Sequence, residues 1–432
     1  MMGFHDWSDS MKLSFLGRCI GSVIALIPML ASAQQFALKD NTTVVFYGDS
    51  ITAQHLYTRF AEEFVLARYP SLHIHFVNAG VPGDTTYGGY AGAMADRVKR
   101  DVEPFHPAMI TVMLGMNDGG YVPESPKMDA LFQTGYKALV SALHESSPDA
   151  AITLIRPSPY DEITHGTDFP GYSHVIQQNA DDVSTIASQM QKSGGPAATL
   201  ADFYTPLSNA LQQGKTQFPQ LAPLIIPDRI HPGEAAHWIM AATLLAAWHV
   251  DPVVSRAAFN AKSAQVMEKY HTTITSLQKT PSGLRWTQTD EALPLPLDFD
   301  NAMTPVLLAT SNIASLDQQL LLFNGLANGT YELLIDGKST ATFTAAQLQA
   351  GVNIALYRTP MVEQARGIDW YEQRRATLDQ AAFILSAETK QGPGTASAEE
   401  ALKQAQTELE ETIRTNLAPK PHDFELRVQA SR

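Results

Sequence analysis

Five short apolar runs, at 43–48, 72–78, 109–115, 151–156 and 198–202, alternate with stretches of helical periodicity, and this alternation limits what the chain can become. One helical stretch opens at Ser50 and repeats Leu56, Phe60 and Phe64 at a spacing of four; others fit 128–144, 175–192 and 233–249. Strands buried on both faces and joined through helices make a parallel sheet, because a parallel neighbour needs a long crossover. The expected fold is α/β, a three-layer sandwich with helices on both faces of the sheet. Such sheets place function outside the carboxyl ends of their strands. Ser50 follows the first run, Gly83 the second and Asn117 the third, so all three belong to one edge.

From about 251 the pattern changes. "VVSRAAFNAKSAQVMEKYHTTITSLQ", 253–278, reads as a long helix. Strand-like pieces follow up to 359, with Asn328-Gly329 and Asp336-Gly337 as hairpin turns. "EALPLPLDFD" reads as a proline-broken edge or linker. Helices are expected at 361–386 and 398–417, joined by the link "TKQGPGTAS". The stripe Leu402, Ala405, Leu409, Ile413 and Leu417 fits helix core or a partner seam. The implied division is a signal segment at 1–33, an α/β domain at 34–250, an accessory helix and β-hairpin region at 251–390, and a C-terminal helix and tail at 391–432.

"VVFYGDSITAQ", 44–54, sets a serine where a buried strand meets a helix. Ser and Asp both favour helix N-caps, and the same corner exposes a hydroxyl beside the positive end of a helix. Farther on, "PDRIHPGEAAHW" places Asp228 three residues before His231, where the carboxylate can orient the ring. "GDSIT", "NAGVPGDTT", "LGMND" and "DRIHP" follow one another in order, each after an expected strand or before an expected helix. Together they resemble the SGNH (GDSL) hydrolase family over about 43–250. The resemblance implies a flavodoxin-like α/β/α fold and a serine esterase. Ser50 would be the nucleophile, with Asp228 and His231 as acid and base. Gly83 and Asn117, with the Ser50 backbone N–H, would match the oxyanion donors, Gly80 being the weaker match for the glycine. The residue types suit that chemistry. A serine needs a base to take its proton, and a glycine N–H or a neutral amide can approach a developing oxyanion.

Other residues carry less. His73 and His75 alternate on a strand without a third ligand at sensible spacing. His237 reads as a packing residue, and Asp49, Asp84 and Asp118 as supporting or turn-forming groups. No metal and no cofactor is implied. Tyr160, Asp161, Asp168 and Tyr172 follow the fourth strand, and a tyrosine–carboxylate mixture there would suit a sugar. From Met11 the sequence reads as a secretory signal ending at "ASA", with translation starting at Met1 or Met11, which implies an exported, periplasmic or extracellular protein. The single cysteine, Cys19, lies in that segment, so the rest of the chain has neither a disulfide nor a thiol nucleophile. A net charge of −14 argues against nucleic acid and anionic membrane surfaces as partners. The expected partner is an ester of a small molecule or polysaccharide, with short acyl groups, acetyl above all, favoured. The rival expectations are a lipase or thioesterase for longer chains, and a cell-surface carbohydrate-binding protein working through 283–359.

Overall fold

The computed structural model describes residues 35–166, 168–192, 198–385 and 392–429. The signal expected at 1–33, Cys19 and part of the link expected at 389–397 lie outside them. The first half runs β1 (Thr42–Gly48), α1 (Ser50–Ala53), α2 (Leu56–Arg68) and β2 (Ile74–Gly80), then a two-residue ribbon, β3 (Gly88–Gly89) with β4 (Gly92–Ala93). It continues through α3 (Met94–Asp101), β5 (Met109–Met113), α4 (Pro126–Ser146), β6 (Ala151–Arg156) and α5 (Tyr172–Lys192), and ends with β7 (Ala198–Asp202), α6 (Tyr204–Gln217) and α7 (Glu234–Ala247). The strands form one parallel sheet in the order β2-β1-β5-β6-β7. Alternation along β1 shows why it is covered twice. Val44 and Phe46 join a core with α2, α6 and α7, while Val45 and Tyr47 join another with α3 and α4. Each such side chain, fully withdrawn from water, contributes roughly 1.5–3 kcal/mol before entropy is charged against it.

The second half corrects several expectations. Residues 253–278 are not a helix. They are β8 (Val253–Asn260), β9 (Gln265–Tyr270) and most of β10 (Thr272–Thr280), followed by β11 (Gly283–Asp290). The alanines, lysines and glutamate of this stretch favour helix, yet two chain reversals break it. Asn260 Oδ1 accepts the N–H groups of Lys262 and Ser263, and Ala264 and His271 take left-handed φ of 50° and 51°. Pairing of β8 with β12 then outweighs propensity.

Next come α8 (Thr304–Thr310), α9 (Ile313–Leu316), β12 (Gln318–Asn324), β13 (Thr330–Ile335), β14 (Lys338–Thr344), α10 (Ala345–Ala350) and β15 (Val352–Asn353). The chain closes with α11 (Pro360–Phe383), α12 (Pro393–Leu417) and β16 (His422–Val428). Asp336-Gly337 is the two-residue turn of the β13–β14 hairpin, with φ of 50° and 75°. Asn328-Gly329 is not a hairpin turn: it carries the chain from β12 in one sheet to β13 in another.

The terminal segment is more than helix and tail. β16 fills the centre of a sheet ordered β10-β11-β16-β13-β14, because Phe424 and Leu426 alternate into the core. Trp286 of this sheet, stacked on Phe424, meets Phe259 and Phe323 of the sheet β15-β12-β8-β9, so the two sheets share one core. Ile413 and Leu417 are buried in that core and Leu409 packs on it, so the lower part of the α12 stripe is helix core.

The accessory region bears on the α/β half through α2. Arg59 bridges Glu63 and Asp369 at 3.2 Å each, Arg375 pairs with Glu62 and Glu372, and the buried Arg68 holds Asp317 at 2.8 Å. Among the described residues no helix is long and apolar enough to cross a membrane, and no group of three metal-ligating side chains converges.

Candidate active site

β1 ends at Gly48 because nothing larger fits. A Cβ there would lie 2.1 Å from Thr52 Oγ1, and one on Gly80 would lie 2.3 Å from the Ala53 nitrogen. The first turn of α1 therefore sits directly on the strand ends, where Gly48 is paired with Gly80 of β2 and Met113 of β5. Asp49, not Ser50, is the N-cap, and its Oδ1 accepts the Ile51 N–H at 2.9 Å. Ser50 is thereby the first helical residue, its hydroxyl unused by the helix and its N–H beyond the reach of any intrahelical acceptor. Burial pushes the Asp49 carboxyl up to about 7, against the Ile51 bond that favours its charged form.

Three side chains from opposite ends of this half form a continuous chain. Ser50 Oγ lies 2.9 Å from His231 Nε2, and His231 Nδ1 lies 2.7 Å from Asp228 Oδ2. The other Asp228 oxygen accepts the Ile230 and His231 N–H groups at 3.0 and 2.7 Å. Burial raises the Asp228 carboxyl, but the bonds from His231 and Ile230 outweigh it and hold the group below the ordinary carboxylate range. An ionised Asp228 fixes the imidazole proton on Nδ1 and leaves Nε2 to accept from Ser50. Arg229, between Asp228 and His231, has a left-handed φ of 74° and donates through Nε to the Gly166 carbonyl and through Nη1 to Asp168 at 3.0 Å.

Val81 to Asp84 form a tight turn closed by the Asp84 N–H on the Val81 carbonyl, with Pro82 second and Gly83 third at φ 73°. That φ favours glycine, and the space a Cβ would occupy is empty to 4 Å. Among the described residues no acceptor takes the Gly83 N–H. Asn117 Nδ2 donates to the Asp84 carbonyl at 3.0 Å, and Tyr121 donates its hydroxyl hydrogen to Asn117 Oδ1 at 2.9 Å. A carbonyl only accepts, so the amide orientation follows. Below this loop Asp84 pairs with the buried Arg97, and Asp118 accepts the Thr86 N–H and hydroxyl at 2.9 and 2.8 Å. Asp49, Asp84 and Asp118 thus brace the loops around Ser50.

The architecture and this cluster lead to one comparison. The model of the GDSL-like lipase/acylhydrolase family matches residues 46–239. This part of the chain is a GDSL-like lipase/acylhydrolase domain, and the protein is a carboxylic ester hydrolase. No curated protein matches it. Among solved structures, a gut microbial diltiazem-metabolizing enzyme is similar at 22% identity over 91% of this chain and 98% of its own, with a TM-score of 0.77. The fold of the GDSL-like domain and of its accessory region therefore recurs as one arrangement. An acetylxylan esterase from Geobacillus stearothermophilus aligns with 50% of this chain and 97% of its own at 22% identity and a TM-score of 0.40.

The residues expected to meet a sugar are placed otherwise. Tyr160, Asp161 and Tyr172 are 2%, 0% and 0% exposed, so they offer no surface to a ligand. Asp161 spends its carboxylate on the Ile163 and Thr164 N–H groups and the Thr164 hydroxyl, and Tyr172 donates to the Met116 carbonyl at 2.7 Å. Asp161 turns inward because the loop's own backbone donors need its carboxylate, and Tyr172 because the Met116 carbonyl takes its hydroxyl hydrogen. His73, for its part, faces Asp40 at 3.1 Å.

His237 is a structural group with a definite role. Its Nδ1 accepts the Tyr57 N–H at 3.1 Å and its Nε2 lies 3.0 Å from Gln54 Oε1, so it caps α2 in place of His55, which makes no cap bond. Burial, with Arg59 and His231 adding, pushes the ring down to about 3. In the unfolded chain it protonates near 6.5. Its contribution to stability is therefore intact above about pH 6.5 and drains away as pH falls toward 3, at up to about 1.4 kcal/mol per pH unit. His237→Asn keeps an acceptor for Tyr57 and abolishes this titration. The gap between wild-type and variant urea midpoints should be widest above pH 7 and narrow steadily between pH 6.5 and 4. A gap independent of pH would show that the ring is not held neutral.

Proposed function

We propose that Ser50, His231 and Asp228 act as nucleophile, base and orienting acid in the hydrolysis of short-chain carboxylic esters. The observation that carries this is the unbroken hydrogen-bonded chain from Ser50 Oγ through the imidazole to Asp228. Nε2 takes the hydroxyl proton as Oγ attacks the ester carbonyl, and the charge left on the ring is stabilised by Asp228. The tetrahedral oxygen is received by the Ser50 and Gly83 N–H groups and by the second hydrogen of Asn117 Nδ2. The imidazolium returns its proton to the leaving alcohol, and water releases the acid from the acyl-enzyme by the same route in reverse.

Short acyl groups, acetyl first, fit an acid and base that stand close to solvent, with side chains 56% and 31% exposed. A longer chain gains about 0.8 kcal/mol per CH₂ only where it is buried. The diltiazem-metabolizing enzyme of the same fold makes small-molecule esters reasonable first substrates. Carbohydrate esters stay within the proposal only as acetate carriers, since Tyr160, Asp161 and Tyr172 no longer argue for them. Export is the remaining part of the reading and rests on the signal-like residues 1–33.

The test is a p-nitrophenyl ester series together with an active-site fluorophosphonate. Labelling should fall on Ser50 alone, and kcat/KM should peak at acetyl to butyryl. A steady rise beyond butyryl would turn the assignment toward a lipase or thioesterase. Asn117→Ala should lower kcat by about 10²- to 10³-fold with KM nearly unchanged. A loss confined to KM would remove Asn117 from the oxyanion site.

A further inference from the structure

We infer that Tyr121 and Phe169 form a subsite beside Ser50 that receives a planar aromatic ring on the alcohol side of the ester. Two loops meet there, and each is tied to one arm of the machinery assigned under the proposed function, on which this inference rests. The first carries Tyr121, whose hydroxyl fixes the Asn117 amide at 2.9 Å. The second carries Phe169 and is held to the acid–base loop: Arg229, next to Asp228, bonds Gly166 and Asp168. The Tyr121 and Phe169 rings lie 5.2 Å apart at 46°. Under them lie two buried rings, with Tyr172 stacked on Tyr121 at 4.9 Å and Tyr160 edge-on to Tyr172 at 5.4 Å. Phe169 remains 37% exposed above this base.

The platform is preformed at a conformational cost. Gly120 and Tyr121 both take left-handed φ, 61° and 58°, and for a tyrosine that conformation is strained. Strain of this kind persists where the surroundings fix it, here through the Tyr172 stack and the Asn117 bond.

The chemistry of the wall selects among rings. A sugar needs partners for its hydroxyls, and three carboxylates of the second loop are already engaged within the protein. Asp161 serves backbone N–H groups, Glu162 serves the Gly171 N–H and the Ser173 hydroxyl, and Asp168 is paired with Arg229. What the wall presents is aromatic surface. Rings at 4.5–7 Å in offset or edge-on geometry attract one another beyond their buried area, and two χ angles make an aromatic anchor cheap to order. The leaving alcohol would thus be held by its ring while the small acyl group points to Ser50.

The experiment compares benzyl, cyclohexylmethyl and ethyl acetates with the full-length protein and with Phe169→Ala and Phe169→Tyr. The ratio of kcat/KM for benzyl over ethyl acetate should fall about tenfold in Phe169→Ala and be restored in Phe169→Tyr. The cyclohexylmethyl ester should change less than the benzyl ester. Binding of benzyl acetate to Ser50→Ala, followed by calorimetry, reads the subsite without turnover, and adding Phe169→Ala should raise Kd about tenfold. An unchanged benzyl-to-ethyl ratio and an unchanged Kd overturn the subsite. Equal losses for the cyclohexylmethyl and benzyl esters overturn its aromatic character, as does a larger loss for an acetylated methyl glycoside. If the wild type cleaves none of the esters while Ser50→Ala still binds benzyl acetate through Phe169, the proposed function fails and the subsite stands.

Discussion

Replacing Ser50 by alanine should lower kcat for a simple aryl acetate on the order of 10⁶-fold, while the thermal midpoint moves by only a few degrees. The size follows from what the residue does. Its Oγ lies 2.9 Å from His231 Nε2, and with Ser50 as the proposed nucleophile no acyl-enzyme would form without it. The rate that survives would come from the proposed oxyanion donors and from substrate positioning, which remain. The fold should tolerate the change because Asp49 caps α1 and the Ser50 hydroxyl holds no helix backbone group. Alanine is also the best helix former for the position. The checks are single-turnover and steady-state kinetics with p-nitrophenyl acetate, the loss of fluorophosphonate labelling, and a melting curve. Near-normal kcat in the variant would exclude Ser50 as the nucleophile.

What was legible in the sequence was what is local. The parallel sheet followed from apolar runs of strand length alternating with helical spacing. The Asp228–His231 pair followed from three residues of loop, short enough for one carboxylate to bond both the ring and the backbone beneath it. Gly83 was reached through the resemblance, from its place before Asp84-Thr85 in "NAGVPGDTT". What escaped depended on distant partners or on direction. The helix expected over 253–278 was overruled by pairing with β12, some sixty residues away. β16 alternates Phe424 and Leu426 with polar residues, a period that is readable, but its place between β11 and β13 is set by contacts across the whole accessory region. Tyr160, Asp161 and Tyr172 were of the right type at the right strand end, and sequence does not tell which way a side chain turns. Arg229 and Tyr121 were missed because their roles rest on left-handed backbone at non-glycine residues, for which neither has a sequence signal. His237 lies six residues after His231, in the helix that follows it, and read as a packing residue; its cap on α2 joins segments 180 residues apart.

Asp228→Asn should reduce kcat by about 10⁴-fold without unfolding the loop, and hydrogen-bond direction explains why so small a change costs so much. In the native site Asp228 Oδ1 accepts two backbone N–H groups, from Ile230 and His231. An asparagine keeps both bonds only by leaving its carbonyl oxygen in that place. Its amide nitrogen then faces His231 Nδ1 across the 2.7 Å now spanned by the carboxylate. An amide nitrogen donates, so Nδ1 must accept, and the ring proton moves to Nε2. Nε2 then points a hydrogen at Ser50 Oγ and cannot take the hydroxyl proton. The opposite flip would restore the ring tautomer but set the amide nitrogen against two backbone donors, a loss of two hydrogen bonds on one side chain. The inactive tautomer is therefore the stable one. KM for p-nitrophenyl acetate should change little, since Asp228 does not touch the ester. The proton shift itself is readable by NMR of the ¹⁵N-labelled imidazole, with the bound hydrogen moving from Nδ1 to Nε2. A variant that keeps kcat within tenfold of wild type, or whose Nδ1 stays protonated, would show that Asp228 does not set the tautomer of His231.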